Sequence, residues 1–248
     1  MHEIAADLRS RIDTGEFPAG TRLPSTRLLS QHYEISAQAI ARVIGLLKAD
    51  GLVEGRQGAG VFVRAWTPLV YRPQSEFKRK PPEVDIWTNL LTVEGRDGEQ
   101  TIEVDEVVPE EGVRRRLQLD AGEMVGVRRR TSYVDGRPFA TDDSYVPLTY
   151  VKGSEWMAPR SIERGTNQVL TELGHELVES LDELYIRNPK PSEVERLQLP
   201  SGTPIGELIT TGHDPDGRPV QVTVCLLPGD RHVIVYDRLK RHSQEAGE

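Results

Sequence analysis

The 248-residue chain has few cysteines and no long apolar runs. Its one cysteine, Cys225, cannot form an internal disulfide, and we expect an inert thiol in a reducing compartment. No apolar run approaches about 18 residues, which argues against a membrane-spanning helix. The first residues also lack the charged-then-apolar pattern of a secretion signal. These absences predict a cytoplasmic protein with no membrane partner.

A recognisable catalytic or metal-binding motif is also lacking. The six histidines show no metal-ligand spacing, and no nucleophile is paired with a base. Gly55, Gly58 and Gly60 fall at the tip of a predicted hairpin, whereas a dinucleotide fingerprint lies between a strand and a helix. We therefore expect no catalytic residue, no metal and no cofactor.

The net charge of −8 would by itself argue against a nucleic-acid partner, but the charge is unevenly distributed. Residues 1–80 carry 12 Lys and Arg against 8 Asp and Glu, whereas the rest carry 19 against 31. A mildly basic head on an acidic body is expected when only the head meets phosphate.

Two capped helices and a hairpin are predicted within residues 21–63. Ser25 is placed to cap a helix that ends near Tyr33, and Ser36 to cap a second helix that runs to Asp50. Gly51 supplies the left-handed stop. The second helix repeats apolar residues at i, i+3, i+4 and i+7, which predicts a buried stripe: Ile40, Val43, Ile44 and Leu47.

A glycine-rich hairpin follows, with strands at 52–54 and 61–63 around a tip at 55–60. Two helices joined by a tight turn and followed by such a wing indicate a winged helix-turn-helix. The alternative is a small helical domain with a hairpin and no contact with DNA.

This segment resembles the GntR family of bacterial transcription regulators. The resemblance is carried by Leu23-Pro24-Ser25 before the first motif helix and by Gly58-Ala59-Gly60-Val61-Phe62-Val63 after the second. It covers about the first quarter of the chain and implies binding to double-stranded operator DNA. The residues expected to contact DNA are Ser25, Thr26, Arg27, Ser36, Gln38, Arg42, Arg56, Gln57 and Gly58. Many family members carry arginine where this chain has Ala37 and Ala41, so base reading by the second helix is expected to be sparse. Arg42 could equally be an ordinary solvated helix residue.

A proline-rich segment without helical periodicity follows the wing, and we expect an extended linker at 65–83. Lys78-Arg79-Lys80 within it fits either an accessory DNA-contacting arm or a solvated charge run. The predicted division is a DNA-binding domain at 1–64, this linker, a body at 84–240 and a tail at 241–248.

The body contains an internal duplication. The segment 116–126 recurs at 196–206, and Asp135-Gly136-Arg137-Pro138 recurs as Asp216-Gly217-Arg218-Pro219. Asp-Gly between two strand-like runs predicts a hairpin turn. We expect a short helix, a strand, a turn and a strand, used twice. The two units would pair into one antiparallel sheet with helices on one face and a pocket between the units.

This arrangement resembles the UTRA effector-binding domain of the HutC branch of the GntR regulators. The resemblance implies an α+β chain: a winged helix-turn-helix followed by a chorismate-lyase-like antiparallel sheet with helices. It also implies a small-molecule effector, often an anion.

The two copies of the duplication differ most at Arg128-Arg129-Arg130, which stand opposite Leu208-Ile209-Thr210. On a strand, Arg128 and Arg130 share one face, which makes them a candidate fork for a carboxylate or phosphate. Alternatively, these arginines pair with Asp142 or Asp143 across the hairpin. The effector contacts suggested by family position are Arg128, Arg130, Asp142, Thr166, Gln168 and Gln221. Thr166, Gln168 and Gln221 depart from the residues usual there, which argues against a sugar phosphate.

Together these features predict a homodimeric repressor that binds a pseudo-palindromic operator, one half-site to each head. A small metabolite is expected to modulate its affinity, and an anion is one candidate for that metabolite. The alternative is a small-molecule-transforming enzyme with a chorismate-lyase-like domain.

Overall fold

The computed structural model describes residues 1–56, 58–64, 69–73, 98–200 and 202–236. The head begins with helices α1 (His2–Asp13), α2 (Thr26–His32) and α3 (Ala37–Ala49). The hydroxyl of Ser25 accepts from the Leu28 N–H at 3.3 Å, and that of Ser36 accepts from the Ala39 N–H at 3.2 Å. Both predicted caps are confirmed. Each satisfies one backbone N–H that a helix start leaves without an intrahelical partner.

The predicted stripe on α3 forms the centre of the head's core. Ile40, Val43, Ile44 and Leu47 are buried, packed with Ala5 and Leu8 of α1, Leu23, Leu29, Val53 and Val63. Burying one such aliphatic side chain contributes roughly 1.5–3 kcal/mol, whereas a cap contributes about 1 kcal/mol. Packing of the apolar stripe therefore holds the three helices together, and the caps set where two of them begin.

The wing consists of β1 (Val53–Arg56) and β2 (Gly60–Val63), paired antiparallel from Val53–Val63 to Arg56–Gly60. Arg22 extends the pairing by a bridge to Phe62. Gly60 has φ +112°, and a Cβ there would lie 2.8 Å from the Arg22 Nε. A side chain at this position would therefore be strained and would displace Arg22.

The body is built on a six-stranded antiparallel sheet whose order is β4-β5-β6-β9-β8-β7. The strands are β4 (Gly98–Val107), β5 (Val125–Val134), β6 (Arg137–Pro147), β7 (Glu179–Arg187), β8 (Ile205–His213) and β9 (Pro219–Pro228). The order reads as two three-stranded units, β4-β5-β6 and β7-β8-β9, joined through β6 and β9. The predicted duplication is confirmed.

A pseudo-twofold symmetry relates the two copies. Its centre is the Asp143–Val224 pair, the third of the five residue pairs between β6 and β9. Each copy also contains a strand that the sequence analysis did not predict, β4 in the first copy and β7 in the second. Both are sheet edges rich in charged residues, so they lack the apolar pattern that identifies the inner strands.

Helices lie on both faces of the sheet, so the prediction of one covered face is wrong. The equivalent helices α4 (Glu111–Arg116) and α7 (Pro191–Leu197) cover one face, where Arg196 forms an ion pair with Asp143 of β6 at 2.9 Å. The other face carries α5 (Leu148–Val151), a 3₁₀ turn (Glu155–Met157) and α6 (Thr166–Glu172), around the buried Trp156. These belong to the connection between the copies, which the repeat does not include.

Part of the predicted linker docks on the body as a strand. β3 (Leu69–Tyr71) pairs parallel with β10 (His232–Ile234), and Tyr71 and Ile234 pack on Leu208, Cys225 and Leu227 of the sheet. Three residues are too few to show a periodic pattern, so the pairing was not predicted. Lys78-Arg79-Lys80 and the tail at 241–248 lie outside the described residues.

The wing also contacts the body directly. Arg64, just after β2, forms an ion pair with Asp230, and Arg137 forms one with Glu54 of β1 at 3.3 Å. Arg64 and Asp230 are largely buried, whereas Arg137 is exposed. Within the described ranges, no helix has the length and apolar character needed to cross a membrane.

Candidate functional site

The residues expected to contact DNA lie on one domain, and most are exposed. Ser25 and Arg27 lie at the start of α2, and Ser36, Gln38 and Arg42 on the early turns of α3. Thr26 is half-buried, Arg56 and Gly58 are exposed at the wing tip, and Gln57 lies outside the described residues.

The arginines of this surface differ in how they are held. Within the described part of the chain, Arg27 and Arg42 form no ion pair, so their charges are available to an external anion. Arg56 instead pairs with Glu54 at 3.0 Å and lies over the Phe62 ring at 4.3 Å. A wing-tip contact by Arg56 would therefore require exchange of Glu54 for a phosphate or a base.

Arg22 is a further exposed cation next to this surface, and the sequence analysis did not select it. Its guanidinium lies against the wing at Gly60, and its backbone bridges Phe62. The bridge brings it beside the wing although 38 residues separate it from Gly60. No local sequence signal could have indicated this proximity.

A cavity of about 400 Å³ lies on the face of the sheet that carries α6. Five of the six residues expected to contact an effector line it: Arg130, Asp142, Thr166, Gln168 and Gln221. Gln221 is buried, and its amide Nε2 donates to Thr223 Oγ1 at 3.1 Å. The linker strand contributes Tyr71 to the wall of the same cavity.

Arg128, the sixth candidate, is committed to the backbone. It lines a smaller adjoining pocket of about 100 Å³, and its guanidinium donates to the carbonyls of Trp156, Ala158 and Arg160 at 2.6–2.8 Å. Burial, together with repulsion from Arg130 and Arg160, lowers the pKa of Arg128 to about 10. It remains charged at neutral pH and anchors the loop between the 3₁₀ turn and α6.

The other cations at the cavity have carboxylate partners. Arg130 pairs with Asp142 at 3.4 Å, as the alternative interpretation of the sequence anticipated. Arg164 pairs with Glu155 at 2.5 Å and with Glu172 at 3.0 Å. Hydrogen bonds from Arg164 and Arg160 lower the pKa of Glu155.

The cavity is placed symmetrically with respect to the duplication. Strand pairing makes Arg130 equivalent to Thr210, Asp142 to Thr223, and Ser144 to Cys225, and all six residues line the cavity. The sequence analysis selected only Arg130 and Asp142 of these. Thr210 could have been found by carrying Arg130 through the repeat, and Thr223 by carrying Asp142.

A winged helix-turn-helix joined to a duplicated sheet with a polar cavity defines a two-domain transcription regulator. The chain belongs to the gntR family of bacterial regulatory proteins with a UTRA domain. The gntR model matches residues 1–63, and the UTRA model matches residues 96–233.

Individual relatives agree with this assignment. The chain is 29% identical over 245 residues to an uncharacterized HTH-type transcriptional regulator of Streptomyces coelicolor, covering 95% of this chain and 91% of that one. It is 23% identical over 221 residues to the mannosyl-D-glycerate transport/metabolism system repressor MngR of Escherichia coli, covering 87% and 86%. The crystal structure of PhnF from Mycobacterium smegmatis superimposes with a TM-score of 0.58 at 17% identity, covering 96% and 99%, which shows a shared fold.

Proposed function

We propose that this protein is a homodimeric transcriptional repressor of the HutC type whose affinity for its operator changes when a small molecule occupies the cavity. The observation that carries the proposal is the path of β3. This strand follows the wing within a few residues, pairs with β10 of the body and places Tyr71 in the cavity wall. A ligand there would touch the segment that connects the body to the DNA-binding head.

The proposed DNA contacts rest on exposure and charge. Arg27 at the start of α2 would bind a phosphate or a guanine edge, and Gln38 and Arg42 would face the major groove. The backbone groups near the capped starts of α2 and α3 would face the phosphate backbone. Ala37 and Ala41 leave space for apolar contact with thymine methyl groups.

Dimerisation is proposed through the body. The edge strand β7 exposes Leu181 at 58% and Ile186 at 70% of their surfaces, with Leu184 and Tyr185 also exposed. An unpaired edge with apolar side chains is a surface that a second chain can cover. Two heads related by a twofold axis would match a pseudo-palindromic operator.

Regulation requires that the ligand bind one arrangement of the heads more tightly than another. The contacts that would change connect residues near the wing to the body: the β3–β10 pairing, the Arg64–Asp230 ion pair and the packing of Tyr71. Of these, Tyr71 also lines the cavity.

Selection of random duplexes by the full-length protein, at near-physiological salt, tests the proposal. Enrichment of an inverted repeat, with an affinity that falls steeply as salt rises, is the expected result. No enrichment by the wild-type protein, or enrichment that Arg27→Ala retains, would contradict the proposed docking. Arg218→Ala, at an exposed hairpin turn of the body, is the matched control.

A further inference from the structure

We infer that the ligand of the cavity is a small polyhydroxylated molecule without net negative charge, of the size and type of a sugar, an amino sugar or a sugar alcohol. The inference rests on the proposed function, in that the cavity is taken to be the effector site. It departs from the anionic metabolite that the arginine pair on β5 suggested.

The cations near the cavity are already neutralised. Arg128 donates to three backbone carbonyls, and Arg130 and Arg164 pair with carboxylates. An incoming phosphate or carboxylate would have to break one of these interactions to form its own. The sequence suggested that Arg128 and Arg130 could bind an anion together. In the folded chain the two guanidinium groups do not form this anion site.

The charges of the lining residues that the structure describes also favour a ligand without net negative charge. Two arginines, Arg130 and Arg164, face three carboxylates, Asp142, Glu176 and Asp182, which gives a net charge of −1. Outside this lining, Arg164 pairs with Glu155 and Glu172, and Glu155 also pairs with Arg160. This field repels anions and tolerates neutral or cationic ligands.

The floor of the cavity presents an acceptor that needs a donor. The Gln221 side chain is 92% buried, since its exposure is 8%, and its Oε1 has no hydrogen-bond partner among the described residues. Its Nε2 is occupied by Thr223, whose hydroxyl in turn contacts Ser144 at 3.0 Å. A buried acceptor without a partner costs free energy, and a ligand O–H or N–H would remove that cost.

Hydroxyl groups fit the remaining lining because they both donate and accept. Ser144, Thr166 and Thr171 are themselves hydroxyl-bearing, and Asp182 accepts from Thr210 at 2.6 Å. The volume of about 400 Å³ lies within the usual range for small-molecule sites, about 300–1,000 Å³.

The test is a matched set of ligands measured by calorimetry on the full-length protein. The set contains D-glucose, D-glucosamine, D-mannitol and myo-inositol, each with its monophosphate. The expected result is saturable binding of at least one unphosphorylated member, tighter than its phosphate. Tighter binding of the phosphates, or binding by none of the unphosphorylated members, would overturn the inference.

Two variants place the binding in the cavity. Gln221→Met preserves size but removes the acceptor, and should weaken the best ligand by about tenfold, whereas Gln31→Met on the exposed face of α2 should not. Asp182→Asn keeps an oxygen for Thr210 but removes a charge, and should raise the relative affinity of the phosphates several-fold. Asp216→Asn, in the exposed hairpin turn, should leave both affinities unchanged. Binding that neither cavity variant alters would refute the assigned site.

The calorimetric test of the ligand class can fail or succeed independently of the DNA-selection test of the proposed function. Preference for phosphates in a protein that still selects an inverted repeat overturns the ligand class alone. Failure to bind DNA overturns the regulator, while the calorimetric ranking still reports on the cavity.

Discussion

Acid should destabilise the body through His232, the first residue of β10. Its ring is buried and lies 4.1 Å from that of Phe139. Because a carbonyl only accepts, the Nδ1 at 3.0 Å from the Pro228 carbonyl is the protonated nitrogen of the neutral ring. Nε2 is buried with no partner in the described chain, so a second proton would place a charge without a hydrogen-bond partner in a buried site, in the field of Arg231, Asp230 and Asp142.

The expected size of the effect follows from the pKa. Burial lowers the pKa of His232 from 6.5 to about 4. As pH falls, the unfolded chain therefore takes up this proton first. The contribution of neutral His232 to the free energy of unfolding is fully present above about pH 6.5. It is lost between about pH 6.5 and 4, by about 1.4 kcal/mol per pH unit and about 3 kcal/mol in total.

Urea unfolding followed by tryptophan fluorescence at about pH 7 and pH 5 provides the measurement, since none of the three tryptophans lies in residues 1–63. Between these two pH values, the unfolding free energy of the wild-type body should fall by about 2 kcal/mol more than that of His232→Gln, because the glutamine cannot take up a proton. Parallel pH profiles of the two proteins would refute the reasoning. His232 stands opposite Leu69 in the β3–β10 register, so the same protonation should loosen the docked linker strand.

Three further substitutions separate the proposed roles. Arg27→Ala should weaken operator binding by about 10- to 100-fold in a gel-shift titration, as expected for loss of about 1–3 kcal/mol. The melting temperature should not change, and an unchanged operator affinity would show that Arg27 does not contact the operator. Arg128→Ala should lower the free energy of unfolding by about 1–3 kcal/mol because three carbonyls lose their donor, and Arg128→Lys should restore little of it. A urea denaturation curve like that of the wild type would show that the loop does not depend on this residue. Tyr71→Ala should leave operator affinity without ligand intact but diminish the ligand-induced change, and an undiminished response would show that coupling bypasses β3.

Local patterns were sufficient to predict the head. Ser25 and Ser36 cap helices where capping residues were expected, and the i, i+3, i+4, i+7 spacing from Ile40 to Leu47 identified the buried stripe. These features depend on neighbours within about two helical turns, so the sequence contains them directly.

The duplication of the body could likewise be predicted, because the repeated segments preserve their turns and spacing. The edge strands β4 and β7 could not, since their charged faces mask the alternation. The parallel β3–β10 pair joins segments about 160 residues apart, and nothing local specifies it.

The cavity was predicted in part. The repeat indicated a pocket between the copies, alternation placed Arg128 and Arg130 on one face of a strand, and family position suggested Asp142. The same alternation could not distinguish Arg128, whose three acceptors lie in the loop at 156–160. Which cations remain available to a ligand depends on such distant partners.

The pseudo-twofold symmetry of the cavity bears on how a ligand is oriented. A cradle formed by two identical halves would accept an elongated molecule equally well in either of two end-for-end directions. Here the first copy supplies the charged pair Arg130 and Asp142, where the second supplies Thr210 and Thr223. This difference makes the two directions inequivalent, so the site can distinguish positional isomers that share the same groups in reversed order. Substitutions in either copy can then retune one end of the ligand while the other end keeps its contacts.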